Sequence, residues 1–356
     1  MKKTLTVLQA GRGLAALAVV LYHTGLEMGS DPRFWHHVRY SELFGPGELG
    51  VEFFFLLSGI VILLAHWRDI GNPTSFRHYA WKRFRRIYPI YWVVLTVLVA
   101  ALYTVPGFQP GVDRHTMNVV SSYLLVHLYG LETVLRVAWT LFHEILFYLF
   151  FSLTLLSRRA GLAAMGLWLT GSLFAIFGAI QNPALLWFFS PLHLLFGMGM
   201  FLAWLLKTQK TLHWRPLLVT GFFLVPGVLV WSWRVHHRTD IISVSIGLAL
   251  SLLLLGLIEL ERREKLQVSP MLLLMGDASY SIYLVHYWLL SLLFRLIYGI
   301  AIKHEAVPLW VWFTLASSIT VSAGLLVHLY VERPLLRMLP THIPGGNRKP
   351  NHSETV

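Results

Sequence analysis

Arg12 and His23 lie eleven positions apart in the apolar run 5–26. Eleven residues make about three helical turns, so on a helix both side chains share one face, separated by roughly 16 Å along the axis. A charged group inside a bilayer costs about 3 kcal/mol on insertion scales, so such residues tend to be functional. A bland alternative exists, in which His23 sits at the interface and Arg12 snorkels out of the bilayer. It suits Arg12 poorly, because Arg12 is far from the start of the run. Histidine is the natural proton acceptor near neutral pH, its unperturbed pKa being about 6.5.

Further polar residues recur in apolar surroundings. The run GVEFFFLLSGIVILL opens with Glu52 at its outer end, within reach of headgroups and water, while Ser58 and Gly59 read as a close helix contact. WKRFRRIYPIYW, the end of the loop before the third span, places Lys82, Arg83, Arg85 and Arg86 within five positions. Three planar guanidinium groups within about one turn suit phosphate, whereas an ordinary interfacial anchor would use Lys as readily. In AWTLFHEILFYLFF, the neighbours of Glu144 on its own helix face are Thr140, Leu141, Phe147 and Tyr148. None is charged, so Glu144 needs a partner from another span: an outer-leaflet histidine, or a structural arginine such as Arg136 or Arg295. Ser279, Tyr283 and His286 form a polar stripe on one helical face, with Asp277 and Ser279 at the expected helix start. The stripe reads as a cavity lining, and His193 as a lone, satisfied core histidine.

The elements that position these residues are membrane helices. Of the 356 residues 56% are hydrophobic and 13% charged, with mean hydropathy +0.62. That is about half the charge of a soluble domain. Ten spans of near 20 apolar residues fall near 5–26, 49–66, 87–105, 138–157, 161–180, 184–206, 216–233, 241–259, 277–300 and 308–330. A shorter piece, 119–129, reads as interfacial or re-entrant. Net charge is +12 and the pI near 10.0. In a soluble protein this would suggest nucleic acid, but the basic residues divide 20 to one side and 7 to the other, with Arg12 and Arg295 inside spans. That bias follows the positive-inside rule and places both termini in the cytosol, with no call for a nucleic acid partner.

Absence of cysteine excludes structural disulfides, cysteine zinc sites and a thiol nucleophile, and nothing in the sequence implies a metal. The opening MKKTLTVLQAGRGLAALAVVLYH reads as a retained first span, since Arg12 interrupts it and no small-residue cleavage pattern follows. The expected architecture is all-α: a polytopic membrane helix bundle over 1–339 with about ten transmembrane helices, and a disordered cytosolic tail over 340–356.

The pieces LQAGRGLAALAVVLYH, GVEFFFLLSG, RFRRIYPIYW, WTLFHEILFY, ASYSIYLVH and VERPL stand in this order between Leu8 and Leu335. Together they resemble the membrane-bound acyltransferase 3 family, with a flavour closest to the exopolysaccharide O-acetyltransferases. The resemblance implies Arg12 and His23 as the family's first-helix pair, Glu144 as its carboxylate, and Arg83 and Arg86 as its Arg-x-x-Arg pair for an acyl-CoA donor. His143 departs from the family's usual polar residues before the glutamate and adds a second titrating group. Many relatives also carry a hydrolase-like periplasmic domain, which this sequence is expected to lack.

The implied reaction is acyl transfer in a bacterial inner membrane, from cytosolic acetyl-CoA to a hydroxyl of an extracytoplasmic or lipid-linked polysaccharide. Arg83, Arg86, Arg85 and Lys82 would hold the CoA phosphates. The pantetheine arm would pass Arg12, Ser279, Tyr283 and His286, with Glu52 also lining the substrate path. His23 would act as base or acyl carrier, Glu144 would orient it, and Arg12 would stabilise oxyanion charge. The acyl group is acetyl, succinyl or another, with direct transfer and an acyl-histidine intermediate both open. A transporter or flippase for a lipid-linked glycan is the rival, disfavoured by the missing internal repeat. A sensor or scaffold has no need of Arg12 and His23 together.

Overall fold

In the computed structural model the described residues are 5–30, 40–105, 112, 114–126, 133–209, 212–235, 239–301 and 307–341, and among them no strand occurs. Nine helical segments among these residues are long and apolar enough to cross a membrane. Helices dominate because a bilayer offers no water to backbone amides, and a helix satisfies them internally. The expected all-α, multi-pass bundle is borne out. The nine match nine of the ten expected spans. The remaining one is α1 (Thr6–Ser30), a 25-residue helix in which Gln9, Arg12, Tyr22, His23 and Thr24 dilute the apolar content.

The other principal helices are α2 (Gly50–His66), α3 (Phe76–Thr104), α4 (Thr116–Leu124), α5 (Trp139–Leu156), α6 (Arg158–Ile176), α7 (His193–Thr208), α8 (Trp214–Val235), α9 (Asp240–Arg262), α10 (Pro270–Ala301), α11 (Leu309–Val327) and α12 (Arg333–Met338). Three boundaries depart from expectation. α3 begins at Phe76, so the basic cluster at 82–86 is helical rather than in a loop, and Pro89 lies inside the helix. α10 begins at Pro270, so Asp277 and Ser279 lie inside it and do not start it. Ser269 caps it, its hydroxyl accepting from Leu272 N at 3.3 Å with proline next in the chain, a strong start signal. The expected span 184–206 is broken into Pro183–Phe188 and α7, because Pro191 cannot continue a hydrogen-bonded ladder. The short piece at 119–129 is the nine-residue α4 up to Leu124, closed by Leu125 in the left-handed conformation; its end lies outside the described residues, as does the expected tail beyond Thr341.

The chain divides into two compact units, one holding Ser58–Trp204 and the chain from Val331, the other Leu5–Leu57 and Leu205–Tyr330. In the second, α1 packs along α10 and α11, and α8 along α9. Ala16 and Val20 bury against Ala278 and Ile282, and Met28 against Leu290, Phe294 and Phe313. Gly276 permits this approach: a Cβ there would lie 2.0 Å from the Gln9 carbonyl oxygen. The Glu261 carboxylate accepts from Thr6 N at 2.7 Å and Val7 N at 3.2 Å. It satisfies donors that a helix N-terminus leaves open, and complements the positive end of α1.

In the first unit, Phe147 of α5 stacks on Phe196 of α7 with centroids 4.4 Å apart, and Phe150 on Trp168 of α6 at 4.4 Å. The turn from α2 into α3 is closed by a side-chain chain. His66 Nδ1 lies 2.9 Å from Asp69 Oδ2, and Ser75 Oγ donates to Asp69 Oδ1 at 3.0 Å. This turn fixes where the basic face of α3 starts.

Candidate active site

In the second unit the structure brings together Arg12, His23, Ser279, Tyr283 and His286. Arg12 Nε donates to Ser279 Oγ at 3.2 Å, joining the first-helix arginine to the polar stripe of α10. His23, half-buried, has Nδ1 2.9 Å from the Val19 carbonyl oxygen and 3.3 Å from His286 Nε2. The two imidazole centroids are 4.8 Å apart, and the rings of Tyr22 and Tyr287 pack edge-on against His23. His286 is fully buried, its Nδ1 2.6 Å from the Tyr283 carbonyl oxygen. Tyr283 is likewise buried. The stripe is therefore one hydrogen-bonded wall with α1, built by the close α1–α10 packing that Gly276 allows.

Glu52 belongs to this unit but not to this cluster. It is fully buried and accepts from Ser243 Oγ of α9 at 2.7 Å. The expected reach to headgroups and water is overturned: α9 covers the carboxylate. Such a group is retained inside by its hydrogen bonds.

Glu144 is built into the first unit. Ser58 Oγ of α2 donates to its Oε1 at 2.9 Å, and the Tyr148 hydroxyl, one turn along α5, donates to the same oxygen. No arginine forms an ion pair with it among the described residues, so neither Arg136 nor Arg295 is its structural counter-charge. Two hydroxyl donors hold a carboxylate in one rotamer without neutralising it. Arg83 stands over the Tyr148 ring, its guanidinium carbon 5.6 Å from the centroid. The Tyr79 hydroxyl donates to the Tyr148 carbonyl oxygen at 3.0 Å, tying the start of α3 to α5.

The basic cluster divides by function of contact. Arg86 Nη1 lies 3.6 Å from Oε1 of Glu332, which is buried. Arg85 donates through Nη2 to the Leu336 carbonyl oxygen of α12, and Trp81 Nε1 donates to the Pro340 carbonyl oxygen at 2.9 Å. Glu332 ends a π-helical turn, His328–Glu332, whose extra residue sets the rotation at which its side chain emerges. Lys82 is half-buried on the same helix. Among the described residues the Nε donors of Arg83 and Arg85 are buried with no hydrogen-bond partner. Buried donors without acceptors are rare.

His143 and His193 correct another expectation. His193 is a buried core histidine as expected, but not a lone one: it opens α7, and His143 Nδ1 lies 2.9 Å from its Nε2, both residues buried. Thus His143 turns away into its own pair. Sequence reasoning took Ser58 for a packing contact, named Tyr148 only as an uncharged neighbour of Glu144, and did not single out Glu332. The i, i+4 spacing of Glu144 and Tyr148 was the available signal for one of them, and VERPL held the other acid in plain view. Among the described residues, no group of three or more His, Cys, Asp or Glu side chains is placed to hold a metal ion.

The fold and these side chains belong to an enzyme class that the comparisons identify. The chain is a member of the acyltransferase 3 family, whose model, an acyltransferase domain, matches residues 6–328. It is therefore a membrane-embedded acyltransferase. The exopolysaccharide production protein ExoZ of Rhizobium meliloti (strain 1021) is 28% identical over 330 residues, covering 89% of this chain and 95% of that protein. The acyltransferase MdmB of Streptomyces mycarofaciens is 27% identical, covering 85% of this chain and 83% of its own. Nodulation protein 10 of Rhizobium leguminosarum bv. viciae is 25% identical, with 81% and 82% covered. No solved structure matches the chain.

Proposed function

We propose that this acyltransferase is an O-acetyltransferase of a bacterial inner membrane, moving acetyl from cytosolic acetyl-CoA to a hydroxyl of an extracytoplasmic or lipid-linked polysaccharide. The observation that carries the reading is the match of the family model to nearly the whole chain, and the likeness to ExoZ supports a polysaccharide acceptor. Both termini lie in the cytosol in this reading, residues 1–339 being the catalytic membrane domain and 340–356 a tail.

Arg83, Arg86, Arg85 and Lys82 hold the phosphates of the donor, as supported by the two buried, unanswered guanidinium donors. The acceptor oxygen attacks the thioester carbonyl carbon as His23 takes its proton. The C–S bond then breaks, and the CoA thiolate leaves and takes up a proton. Arg12, aligned by Ser279, balances charge on the carbonyl oxygen. Glu144, held by Ser58 and Tyr148, is the reaction's carboxylate. Ser279, Tyr283 and His286 line the path of the substrates; Glu52, bonded to Ser243 of α9, stands outside this cluster.

The test uses purified protein in lipid nanodiscs with [acetyl-14C]acetyl-CoA and polysaccharide from the producing strain. Label should pass to polysaccharide as base-labile ester, and not with His23→Ala protein of equal abundance. Transport of the glycan without ester formation would overturn the proposal.

A further inference from the structure

We infer that His286 is a positioning residue that, together with the Val19 carbonyl oxygen, holds His23 in the tautomer with its basic lone pair on Nε2. The inference rests on the reading of His23 as the base, and deepens it. An amide carbonyl oxygen can only accept a hydrogen bond. His286 Nδ1 lies 2.6 Å from the Tyr283 carbonyl oxygen, so in the neutral ring that nitrogen carries the proton and Nε2 carries the lone pair. His23 Nδ1 lies 2.9 Å from the Val19 carbonyl oxygen and 3.3 Å from that His286 lone pair. Both neighbours are acceptors. His23 Nδ1 is therefore the donor, its proton shared between them, and Nε2 is left as the acceptor. No hydrogen bond to His23 Nε2 occurs among the described residues.

The geometry also says what happens when His23 takes a proton from the acceptor hydroxyl. The N–H at Nδ1 becomes that of a cation, and its hydrogen bond to the His286 lone pair becomes charge-assisted and roughly twice as strong. In a serine-protease triad a carboxylate does this work. Here a neutral, fully buried imidazole does it, anchored to the backbone of its own helix. A neutral partner avoids burying a second charge, whose desolvation would cost several kcal/mol. It also leaves His286 unable to act as the base, because its one lone pair is engaged by His23.

Two amides divide the roles of His286. His286→Gln places a carbonyl oxygen near the position of Nε2, keeping an acceptor for His23. His286→Asn keeps a donor near the position of Nδ1 for Tyr283, and loses the acceptor. In the nanodisc assay, the Asn variant should lose roughly 10- to 100-fold in kcat, a larger effect than on KM for acetyl-CoA. The Gln variant should lose clearly less of kcat than the Asn variant. In 15N spectra of histidine-labelled protein, the His23 Nε2 signal of the parent should be that of an unprotonated, pyridine-like nitrogen. Equal losses in both amides, or a larger loss in Gln, would overturn the inference and leave His23 as base. A parent His23 protonated on Nε2 would overturn it too. Full activity of His23→Ala would instead remove the reading beneath it.

Discussion

Ser58 donates a 2.9 Å hydrogen bond to the carboxylate of Glu144, so a residue of the second helix sets the rotamer of an acid on the fifth. Tyr148 donates to the same oxygen. Ser58→Ala and Tyr148→Phe should each lower acetyl transfer about tenfold, since a hydrogen bond to a charged group is worth about 1.5–3 kcal/mol. Glu144→Gln should lose more than either. Normal rates in the Ser58→Ala, Tyr148→Phe double variant would show that the rotamer does not matter to the chemistry.

Arg86 pairs with Glu332 and is proposed to hold the donor, and an experiment can separate the two. Glu332→Gln should lower the thermal midpoint in detergent, by less than a fully buried pair would, because Arg86 is 35% exposed. The exchange Arg86→Glu with Glu332→Arg should recover part of that stability. It should not recover acetyl-CoA binding by titration calorimetry. If the exchanged protein bound the donor like the parent, Arg86 would be structural only.

Donor binding is expected to depend most on Arg83, whose Nε is buried without a partner. Arg83→Ala should weaken acetyl-CoA binding by at least tenfold with the fold intact. Arg83→Lys should recover only a part, because the planar fork is lost. Unchanged affinity in a folded Arg83→Ala protein would move the donor site elsewhere.

Gly276→Ala should be damaging through backbone packing, without removing any polar group. Its Cβ would meet the Gln9 carbonyl oxygen at 2.0 Å, a backbone atom that cannot swing aside. We expect a loss of about 1–3 kcal/mol in stability, read as a lower melting midpoint. Gly166→Ala, where no atom lies within 4 Å of the new Cβ, should be neutral or gain up to about 1 kcal/mol from helix propensity. A similar cost at both would argue against close α1–α10 packing.

Topology is read independently. Reporter fusions at Arg158 and Arg263 should report the cytosol, and fusions at Val105 and Val235 the periplasm, following the 20-to-7 division of basic residues. A periplasmic signal at Arg158 would reverse the donor and acceptor sides together.

The helices were legible because burial in lipid demands long apolar runs, and such runs are local. Their ends were less so: a cation-rich start such as that of α3 reads as loop by hydropathy, although Lys and Arg are good helix formers. The joining of Arg12 to Ser279 agrees with the polar stripe seen in α10. The partners of Glu144, Arg86 and His193 were hidden, since each pairing depends on which helices are neighbours, a matter of packing between distant segments. Only Tyr148, one turn from Glu144, lay within local reach.

The brace formed by Glu332, Leu336 and Pro340 on the basic start of α3 bears on where the protein can be cut. The family match ends at residue 328, which invites a shortened chain stopping there. Such a chain would take the counter-charge from Arg86, the carbonyl from Arg85 and the acceptor from Trp81 at one stroke. A tag or fusion partner is therefore better joined after Thr341 than at the family boundary.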